Sequence, residues 1–277
     1  MTIPFRPATA RANATPVTSL TLVVPCYNEE LRLRADSFLA FVDETPRVHV
    51  LFVNDGSRDG TLTRLQQLAE ARPAQISVLD LPRNGGKAEA VRAGLKHALD
   101  QGAQMVAYWD ADLATPLELV EDFLRVADRN PMLEVVFGSR RRMLGHQVVR
   151  TLPRRAVSRI CAMLARMAIG LPVADTQCGA KLLRSTPAVQ AAVAQPFTAG
   201  WLFDVELFAR IARLGGKANT RFYELPLSEW HEIPGSKVSA SAIAKSGLRM
   251  LRLIAELRLT RAAPVLSTNV TDFRKAA

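Results

Sequence analysis

Short apolar runs and longer amphipathic stretches alternate along the first half of the chain. Five apolar, β-branched runs have the length of buried strands, at residues 19–26, 48–53, 76–81, 105–109 and 135–138. Helical periodicity marks the segments between them, at residues 30–43, 59–71, 86–100 and 116–128. This alternation predicts βαβ units, and therefore an α/β fold with a doubly wound, mostly parallel sheet flanked by helices.

The second half of the chain is less regular. After about residue 145, helical patterns occupy residues 153–169 and 238–259, and residues 220–230 have the pattern of one or two strands. Residues 1–18 contain Pro, Ala, Thr and Arg without periodicity, which predicts a flexible tail. The regular part of the fold is therefore expected between residue 19 and about residue 240.

Composition narrows the class of protein. Hydrophobic residues make up 48% of the 277 residues and charged residues 22%, which excludes a disordered or collagen-like chain. The sequence contains no run of about 18 uncharged apolar residues, and its N-terminus lacks the apolar segment of a signal peptide. The three cysteines are too few and too far apart for a disulfide framework. We therefore expect a cytoplasmic protein without a transmembrane helix.

The net charge of +10 indicates polyanionic partners. Nucleic acid, nucleotide phosphates and an anionic membrane surface all fit such a charge. A nucleic-acid-binding protein would interleave aromatic residues with its basic patches, but aromatic residues make up only 6% of the chain. We therefore expect no nucleic-acid partner.

Polar residues cluster directly after the predicted strands, where open α/β sheets bind their ligands. Asp110 and Asp112 follow the fourth strand and are separated by one residue. Two carboxylates on such a turn can face one Mg²⁺ or Mn²⁺ ion that also holds substrate phosphates. The same pattern is typical of a solvated turn or a helix cap. Its position at the mouth of the sheet favours the metal site.

The turns after the second and third strands carry a complementary set of residues. Asp55 has no capping role that the sequence suggests, so its carboxylate could accept a hydrogen bond from a base or ribose. Residues 83–87 (RNGGK) open a helix whose free N–H groups, together with Lys87, favour a phosphate. The alternatives are a turn rich in turn-forming residues around Asp55 and a glycine turn with an exposed lysine.

The end of the first strand carries a further candidate pair. Tyr27 could face a nucleobase, and Glu29 could accept a hydrogen bond from it. For Asn28 and Glu30 we favour roles at the N-terminus of the following helix, where such residues cap free N–H groups.

Taken together, these motifs resemble glycosyltransferase family 2, whose nucleotide-sugar-binding fold is called GT-A. The motifs are VVPCYNEE, VNDGSRDGT, RNGGKAEAVRAG, DADLATP and FGSR, and they are followed by DTQCGAK, WLFDVE and EWHEIPGSK. The last three are most similar to dolichyl-phosphate β-glucosyltransferases and their polyprenyl-phosphate relatives, with the mannosyltransferase branch next. The resemblance covers roughly residues 20–240.

It implies a catalytic domain over residues 19–240, with a Rossmann-like nucleotide-sugar half over about 19–145 and an acceptor half over about 146–240. An amphipathic helix and tail would follow at 241–277.

The resemblance implies a donor pocket in the first half of the chain. Pro25, Tyr27 and Glu29 would line the nucleoside pocket, with Asp55 near the base and Lys87 beside the nucleotide. The donor would be UDP-glucose, or GDP-mannose in the mannosyl branch.

The same resemblance implies the metal and phosphate ligands. Asp110 would contact ribose or metal, and Asp112 would be the main ligand of Mg²⁺ or Mn²⁺. Gln177 would approach the donor sugar and diphosphate. Arg140 and Lys237 would hold the acceptor phosphate.

The implied activity is a metal-dependent, inverting transfer of a hexose, glucose in the first instance, to a polyprenyl or dolichyl phosphate. Asp204 would lie near the acceptor, either as a general base or as a group that orients the acceptor. The alternatives are a soluble or polysaccharide acceptor and, from charge alone, a non-catalytic nucleic-acid-binding protein.

Two helical segments combine a basic stripe with an apolar one. Arg155, Arg159 and Arg166 share a face in the first, and Lys245, Arg249 and Arg252 do so in the second. Each helix alone equally fits ordinary core packing with a solvated face. With the net charge of +10 and a lipid-phosphate acceptor, the pair predicts peripheral attachment to the cytoplasmic face of an anionic membrane.

Overall fold

The structure is a computed structural model that describes residues 19–141, 144–145, 147–148, 152–214, 217–231 and 240–259. The elements of its first half are β1 (Leu20–Cys26), α1 (Ala35–Glu44), β2 (Val48–Asn54), α2 (Thr61–Ala71), β3 (Ile76–Asp80), α3 (Lys87–Asp100), β4 (Met105–Trp109), α4 (Val120–Arg129) and β5 (Val135–Ser139). Those of the second half are β6 (Gln147–Val148), α5 (Leu152–Ile169), β7 (Ala180–Arg184), α6 (Pro187–Ala194), α7 (Phe203–Leu214), β8 (Phe222–Pro226), β9 (Glu229–Trp230) and α8 (Ala240–Leu259).

Seven of the strands form one sheet in the order β3-β2-β1-β4-β7-β5-β8. All neighbouring strands in it are parallel except those beside β7, which runs antiparallel between β4 and β5. The short strands β6 and β9 pair separately. The predicted α/β fold with a doubly wound, mostly parallel sheet is therefore confirmed.

Helices cover both faces of this sheet, which explains why its central strands have no polar face. Every residue of β4 and β5 is buried. Apolar side chains from α1, α2 and α4 pack on one face of the sheet. Those from α3, α5, α6, α7 and α8 pack on the other. Strands buried on both sides read as continuous apolar runs, and such runs were visible in the sequence.

Local geometry changes two of the predicted elements. Helix α1 begins at Ala35 instead of residue 30. Asn28 adopts a left-handed backbone conformation, with φ of 51°, and its side-chain oxygen accepts the N–H of Arg58 in the turn after β2. Asn28 therefore links two loops and does not cap the helix, which corrects that prediction. The helices α6 and α7 and the strand β7 had no counterpart among the predicted elements.

The described residues cover only part of the remaining predictions. Residues 1–18 and Lys237 lie outside them, as do residues 260–277 of the predicted tail. The division into a nucleotide-sugar half and an acceptor half stays a prediction.

Candidate functional site

The carboxyl ends of β2, β1 and β4 lie side by side, because these strands are consecutive in the sheet and run parallel. The loops that follow them hold the motifs of the first half. Ser57 accepts the backbone N–H of Asn28, and Thr61 accepts that of Glu29. The loops after β1 and β2 are thus bonded to each other and form one continuous rim.

Tyr27 and Glu29 lie on this rim directly after β1, and both are partly exposed. Pro25, the next-to-last residue of β1, is also partly exposed although its neighbours are buried. All three predicted nucleoside-pocket residues therefore lie at the same strand end as the motifs described next.

Asp55 is almost fully buried and has a structural role that the sequence did not reveal. Its carboxylate accepts the backbone N–H of Gly85 at 2.7 Å and that of Gly86 at 2.9 Å, and it also bonds the side chain of Asn84. Burial raises the pKa of Asp55, while the two N–H groups act to lower it. Asp55 therefore fixes the turn that starts α3, and these two N–H groups are not free for a phosphate, contrary to the expectation for this turn.

Lys87, the first residue of α3, reaches across to the turn after β4. Its Nζ lies 2.5 Å from Oδ1 of Asp110. Although burial lowers the pKa of Lys87, the negative charges of Asp110 and Asp204 raise it above the usual value. The sequence placed Lys87 and Asp110 in different loops, and the fold brings them into direct contact.

Asp112 lies two residues further along the same turn and is 29% exposed. Its Oδ1 accepts the N–H of Ala114, and its Oδ2 lies 3.9 Å from Nη2 of Arg32. Burial and the negative charge of Asp110 raise the pKa of Asp112. Two neighbouring carboxylates at a partly exposed turn repel each other, and a bound cation would stabilise their charged forms.

The carboxylates of Asp110 and Asp112 are suitable ligands for a hard divalent cation. No group of three or more His, Cys, Asp or Glu side chains clusters as a metal cage within the described part of the chain. Asp110 and Asp112 supply oxygen ligands only. Mg²⁺ is commonly bound through one or two carboxylates, with water and substrate phosphates completing its coordination. The turn is therefore suited to a cation that arrives with a phosphate-bearing substrate.

The loop over residues 175–179 closes this turn from the side of β7. The backbone N–H of Asp110 donates to the carbonyl of Gly179. A Cβ atom on Gly179 would lie 2.0 Å from Oδ2 of Asp110, so a larger residue would displace that carboxylate. In the same loop, Nε2 of Gln177 is buried and has no hydrogen-bond partner among the described residues. Such a donor is a candidate ligand contact.

Arg140 is held by a neighbouring carboxylate. Its Nε and Nη2 donate to the two oxygens of Asp175 at 2.7 and 2.8 Å, and its guanidinium lies 5.3 Å from the ring centre of Trp230. Although burial acts in the opposite direction, Asp175 raises the pKa of Arg140. In this arrangement the charge of Arg140 is compensated within the protein.

Asp204 lies in the first turn of α7 and is only 5% exposed. Its Oδ1 lies 3.0 Å from Nζ of Lys181 and accepts the hydroxyl of Tyr108. Burial raises the pKa of Asp204 well above its usual value, and the positive charge of Lys87 opposes this. The structure thus places Asp204 behind the β4 turn, inside the packed interior.

Three residues of the site were not singled out from the sequence. Arg32 contacts both Glu29 and Asp112, Gly179 packs on Asp110, and Lys181 bonds Asp204. Arg32 follows Glu29 by three residues, a spacing that suggests an ion pair. Gly179 and Lys181 lie in the motif DTQCGAK, and Lys181 is also a charge inside the short apolar run AKLLR.

The helices α5 and α8 pack together, and each exposes apolar side chains. On α5 these are Ile160, Met163 and Met167, and on α8 they are Leu248 and Leu251, which is 50% exposed. Lys245, Arg249 and Arg252 are exposed on α8 as well. The side chains of Arg155 and Arg159 lie outside the described set. Within the described residues, none of the helices combines the length and the apolar character needed to span a bilayer.

Comparison with known sequences gives a consistent picture. The sequence model of the family described as "Glycosyl transferase family 2" matches residues 21–188. The chain is 32% identical over 256 residues to the dolichyl-phosphate beta-glucosyltransferase ALG5D of Trichomonas vaginalis, covering 88% of this chain and 75% of that one. It is also 32% identical to the dolichyl-phosphate beta-glucosyltransferase of Drosophila melanogaster, over 81% of this chain and 70% of that one.

Solved structures share the fold at lower sequence identity. Glucosyl-3-phosphoglycerate synthase of Mycobacterium tuberculosis superposes with a TM-score of 0.60 at 18% identity, over 87% of this chain and 80% of that one. The mannosyltransferase PcManGT of Pyrobaculum calidifontis, in complex with GDP-Man and Mn²⁺, gives 0.53 at 18% identity, over 89% and 76%. These neighbours confirm the GT-A-type architecture that the motifs implied.

Proposed function

Because the chain belongs to glycosyltransferase family 2, we propose that it transfers glucose from UDP-glucose to a polyprenyl or dolichyl phosphate, with inversion at the anomeric carbon. Relatives named dolichyl-phosphate beta-glucosyltransferase support this acceptor and sugar. The single observation on which the proposal rests is the contact between Lys87 and the Asp110–Asp112 turn at the carboxyl edge of the sheet. That contact joins a cation to the two carboxylates expected for a nucleotide-diphosphate site.

Our proposal assigns the donor to the rim formed by the loops after β1, β2 and β4. Tyr27, Pro25 and Glu29 would contact the nucleoside there. Asp55 would act near the base while it holds the α3 turn. Gln177 would direct its buried, unpartnered amide nitrogen toward the donor sugar or diphosphate.

We further propose that Asp110 and Asp112 hold Mg²⁺ or Mn²⁺ together with the donor diphosphate. A bound divalent cation would neutralise the negative charge that develops on the departing nucleotide. Lys87 supplies a second positive charge at the same place. Solved neighbours contain Mn²⁺ with UDP-glucose or GDP-Man, and this supports the assignment.

The acceptor chemistry follows from the charge of a phosphate monoester. Its second pKa is about 6, so it is mostly ionised near neutral pH and is already a nucleophile. An acceptor oxygen would form the new bond to the anomeric carbon while the bond to the nucleotide diphosphate breaks on the opposite side. Such an acceptor needs cations that position it more than it needs a general base. We assign this positioning to Arg140 and Lys237.

An organic-phase transfer assay tests the proposed function. Radiolabelled UDP-glucose or GDP-mannose would be incubated with the protein, with and without a polyprenyl phosphate and with Mn²⁺ or EDTA. We expect label from UDP-glucose to enter the organic phase only when both the lipid phosphate and Mn²⁺ are present. A parallel reaction with 3-phosphoglycerate tests a soluble acceptor. Transfer to that acceptor alone would contradict the lipid assignment, and transfer only from GDP-mannose would contradict the donor assignment.

We also propose that the exposed apolar and basic side chains of α5 and α8 attach the enzyme to the anionic cytoplasmic face of a membrane. Leu248 is 72% exposed and Ile160 56%, although both lie on helices that otherwise pack on the core. Basic residues near an anionic bilayer each contribute about 1 kcal/mol of attraction. Attachment would bring the site to the surface where a lipid phosphate resides.

Vesicle co-sedimentation tests this attachment. We expect the protein to pellet with vesicles that contain phosphatidylserine at low salt and to remain in the supernatant with neutral vesicles. The L248E/L251E variant should lose binding. Met132→Glu is the matched control, because Met132 is equally exposed, at 74%, but lies before β5 and away from α8. Equal binding of all three proteins, or none by the unsubstituted protein, would contradict the proposal.

A further inference from the structure

Lys181 is a fully buried lysine in the interior of the sheet. It belongs to β7 and is the register partner of Tyr108 in β4. Its Nζ lies 4.8 Å from the ring centre of Tyr108 and 5.7 Å from that of Phe208. Burial lowers the pKa of Lys181 to about 7. A buried lysine is rarely retained without partners, so its contacts indicate its role.

Two contacts connect Lys181 to the site in different directions. Its Nζ donates to the carbonyl of Cys178, in the loop that carries Gln177 and Gly179. The same Nζ lies 3.0 Å from Oδ1 of Asp204. Gly179 packs on Asp110, and its carbonyl accepts the N–H of Asp110. The loop over residues 175–179, to which Lys181 is bonded, therefore lies against the turn that carries Asp110 and Asp112.

Asp204 is buried behind the turn that follows β4 and does not line the exposed edge of the site. It accepts the hydroxyl of Tyr108, which precedes Asp110 by two residues in the chain. Lys181 and Asp204 form one pair in the interior, and Lys87 and Asp110 form another at the rim. The end of β4 connects the two pairs, because Tyr108 bonds Asp204 and Asp110 follows two residues later. The side chains of the interior pair are buried, whereas those of Lys87 and Asp110 are partly exposed.

We propose that Lys181 and Asp204 are a positioning pair, which holds the end of β4 and the loop over residues 175–179 in the geometry that binds the donor diphosphate. Neither residue touches a substrate. Asp204 is then not the base that deprotonates the acceptor, because its carboxylate is bonded inside the protein. The inference rests on the proposed function and deepens it, since a lipid phosphate acceptor does not require such a base.

Calorimetric titration of the full chain with Mn²⁺ and UDP distinguishes a positioning role of Asp204 from a role as general base. Asp204→Asn keeps the volume of the side chain but removes the carboxylate that pairs with Lys181, the residue that holds the loop over residues 175–179. We expect this variant to bind Mn²⁺–UDP about 10–100-fold more weakly, as is typical when an outer-shell partner is lost. A general base would behave differently, because its loss would leave the Kd for Mn²⁺–UDP unchanged and abolish transfer alone.

Glu206→Gln is the matched control on the same helix. Glu206 is equally buried in α7, accepts the N–H groups of Thr198 and Ala199, and pairs with Arg210. We expect its substitution to lower the melting temperature without changing the Kd for Mn²⁺–UDP. A loss of affinity of the same size in Glu206→Gln would show that any damage to α7 suffices and would overturn the inference.

The K181M/D204L variant keeps the test decisive if Asp204→Asn does not fold. Replacing both partners of a buried ion pair by apolar residues of similar size is often tolerated. We expect this variant to fold with a lower melting temperature, because the hydroxyl of Tyr108 and the carbonyl of Cys178 lose their partners. We expect it to lose affinity for Mn²⁺–UDP, because Lys181 no longer holds the loop over residues 175–179. Affinity equal to that of the unsubstituted protein would refute the positioning role while leaving the proposed function intact. If the unsubstituted protein bound neither UDP nor GDP with Mn²⁺, the donor assignment would fail and the inference with it.

Discussion

Replacing Asp112 by asparagine is expected to abolish Mn²⁺-dependent nucleotide binding and to lower the transfer rate at least about 100-fold, the usual cost of removing one electrostatic stabiliser. Asparagine can still accept the N–H of Ala114, so the turn should keep its shape. The substitution also removes repulsion between Asp112 and Asp110, which burial makes costly. The free energy of unfolding should therefore stay within about 1 kcal/mol of that of the unsubstituted protein.

Thermal unfolding and a transfer assay on the same preparation check this expectation. Asp100→Asn is the control, because Asp100 is exposed and pairs with Lys96 one helical turn away. Exposed pairs of this kind contribute less than about 1 kcal/mol. Substantial transfer by Asp112→Asn would remove the metal role from this carboxylate.

Gly179→Ala is expected to have the second large effect, although it adds a single methyl group. The new Cβ would lie 2.0 Å from Oδ2 and 2.6 Å from Oδ1 of Asp110. The carboxylate is the end of a side chain and can rotate away, so the fold should tolerate the change. Rotation would separate Asp110 from Lys87 and misplace one of the two proposed metal ligands. We expect affinity for Mn²⁺–UDP to fall about tenfold or more.

Gly94→Ala provides the contrast, because its Cβ would meet core side chains. It would lie 2.4 Å from Cγ1 of Val23 and 2.7 Å from Cγ2 of Val53. Overpacking of this kind costs about 1–3 kcal/mol. We expect Gly94→Ala to lower the melting temperature and to retain Mn²⁺–UDP affinity, and Gly179→Ala to do the reverse. Unchanged affinity in Gly179→Ala would mean that the position of Asp110 does not matter for binding.

The first half of the fold could be predicted because each strand there is buried on both sides. Continuous apolar runs such as residues 105–109 are visible in a sequence, and glycine and polar turns separate them from helices. The strand β7 escaped prediction because Lys181 interrupts its apolar pattern. Its burial depends on Asp204, which lies 23 positions later in the chain, and no local pattern reveals such a pairing.

The site was predictable as far as topology alone determines it. Parallel strands bring their carboxyl ends to one edge of the sheet, so Asp110 and Lys87 could both be expected at that edge. Their direct contact could not, because β2 and β1 lie between β3 and β4. The role of Asp55 in fixing the turn before α3 could not be predicted, because its partners are backbone N–H groups about 30 residues away in the chain. The depth of Asp204 was hidden for the same reason. The sequence shows which carboxylates follow the motifs, but only packing decides which of them the solvent can reach.

Anomalous diffraction from crystals grown with Mn²⁺ and UDP tests whether Asp110 and Asp112 bind a divalent cation and whether Lys87 contacts the nucleotide diphosphate. We predict one manganese peak within about 2.0–2.3 Å of an oxygen of Asp112, with the UDP diphosphate on its other side and Nζ of Lys87 in hydrogen-bond range of that diphosphate. A manganese peak away from Asp110 and Asp112, or a diphosphate bound without contact to Lys87, would contradict this prediction.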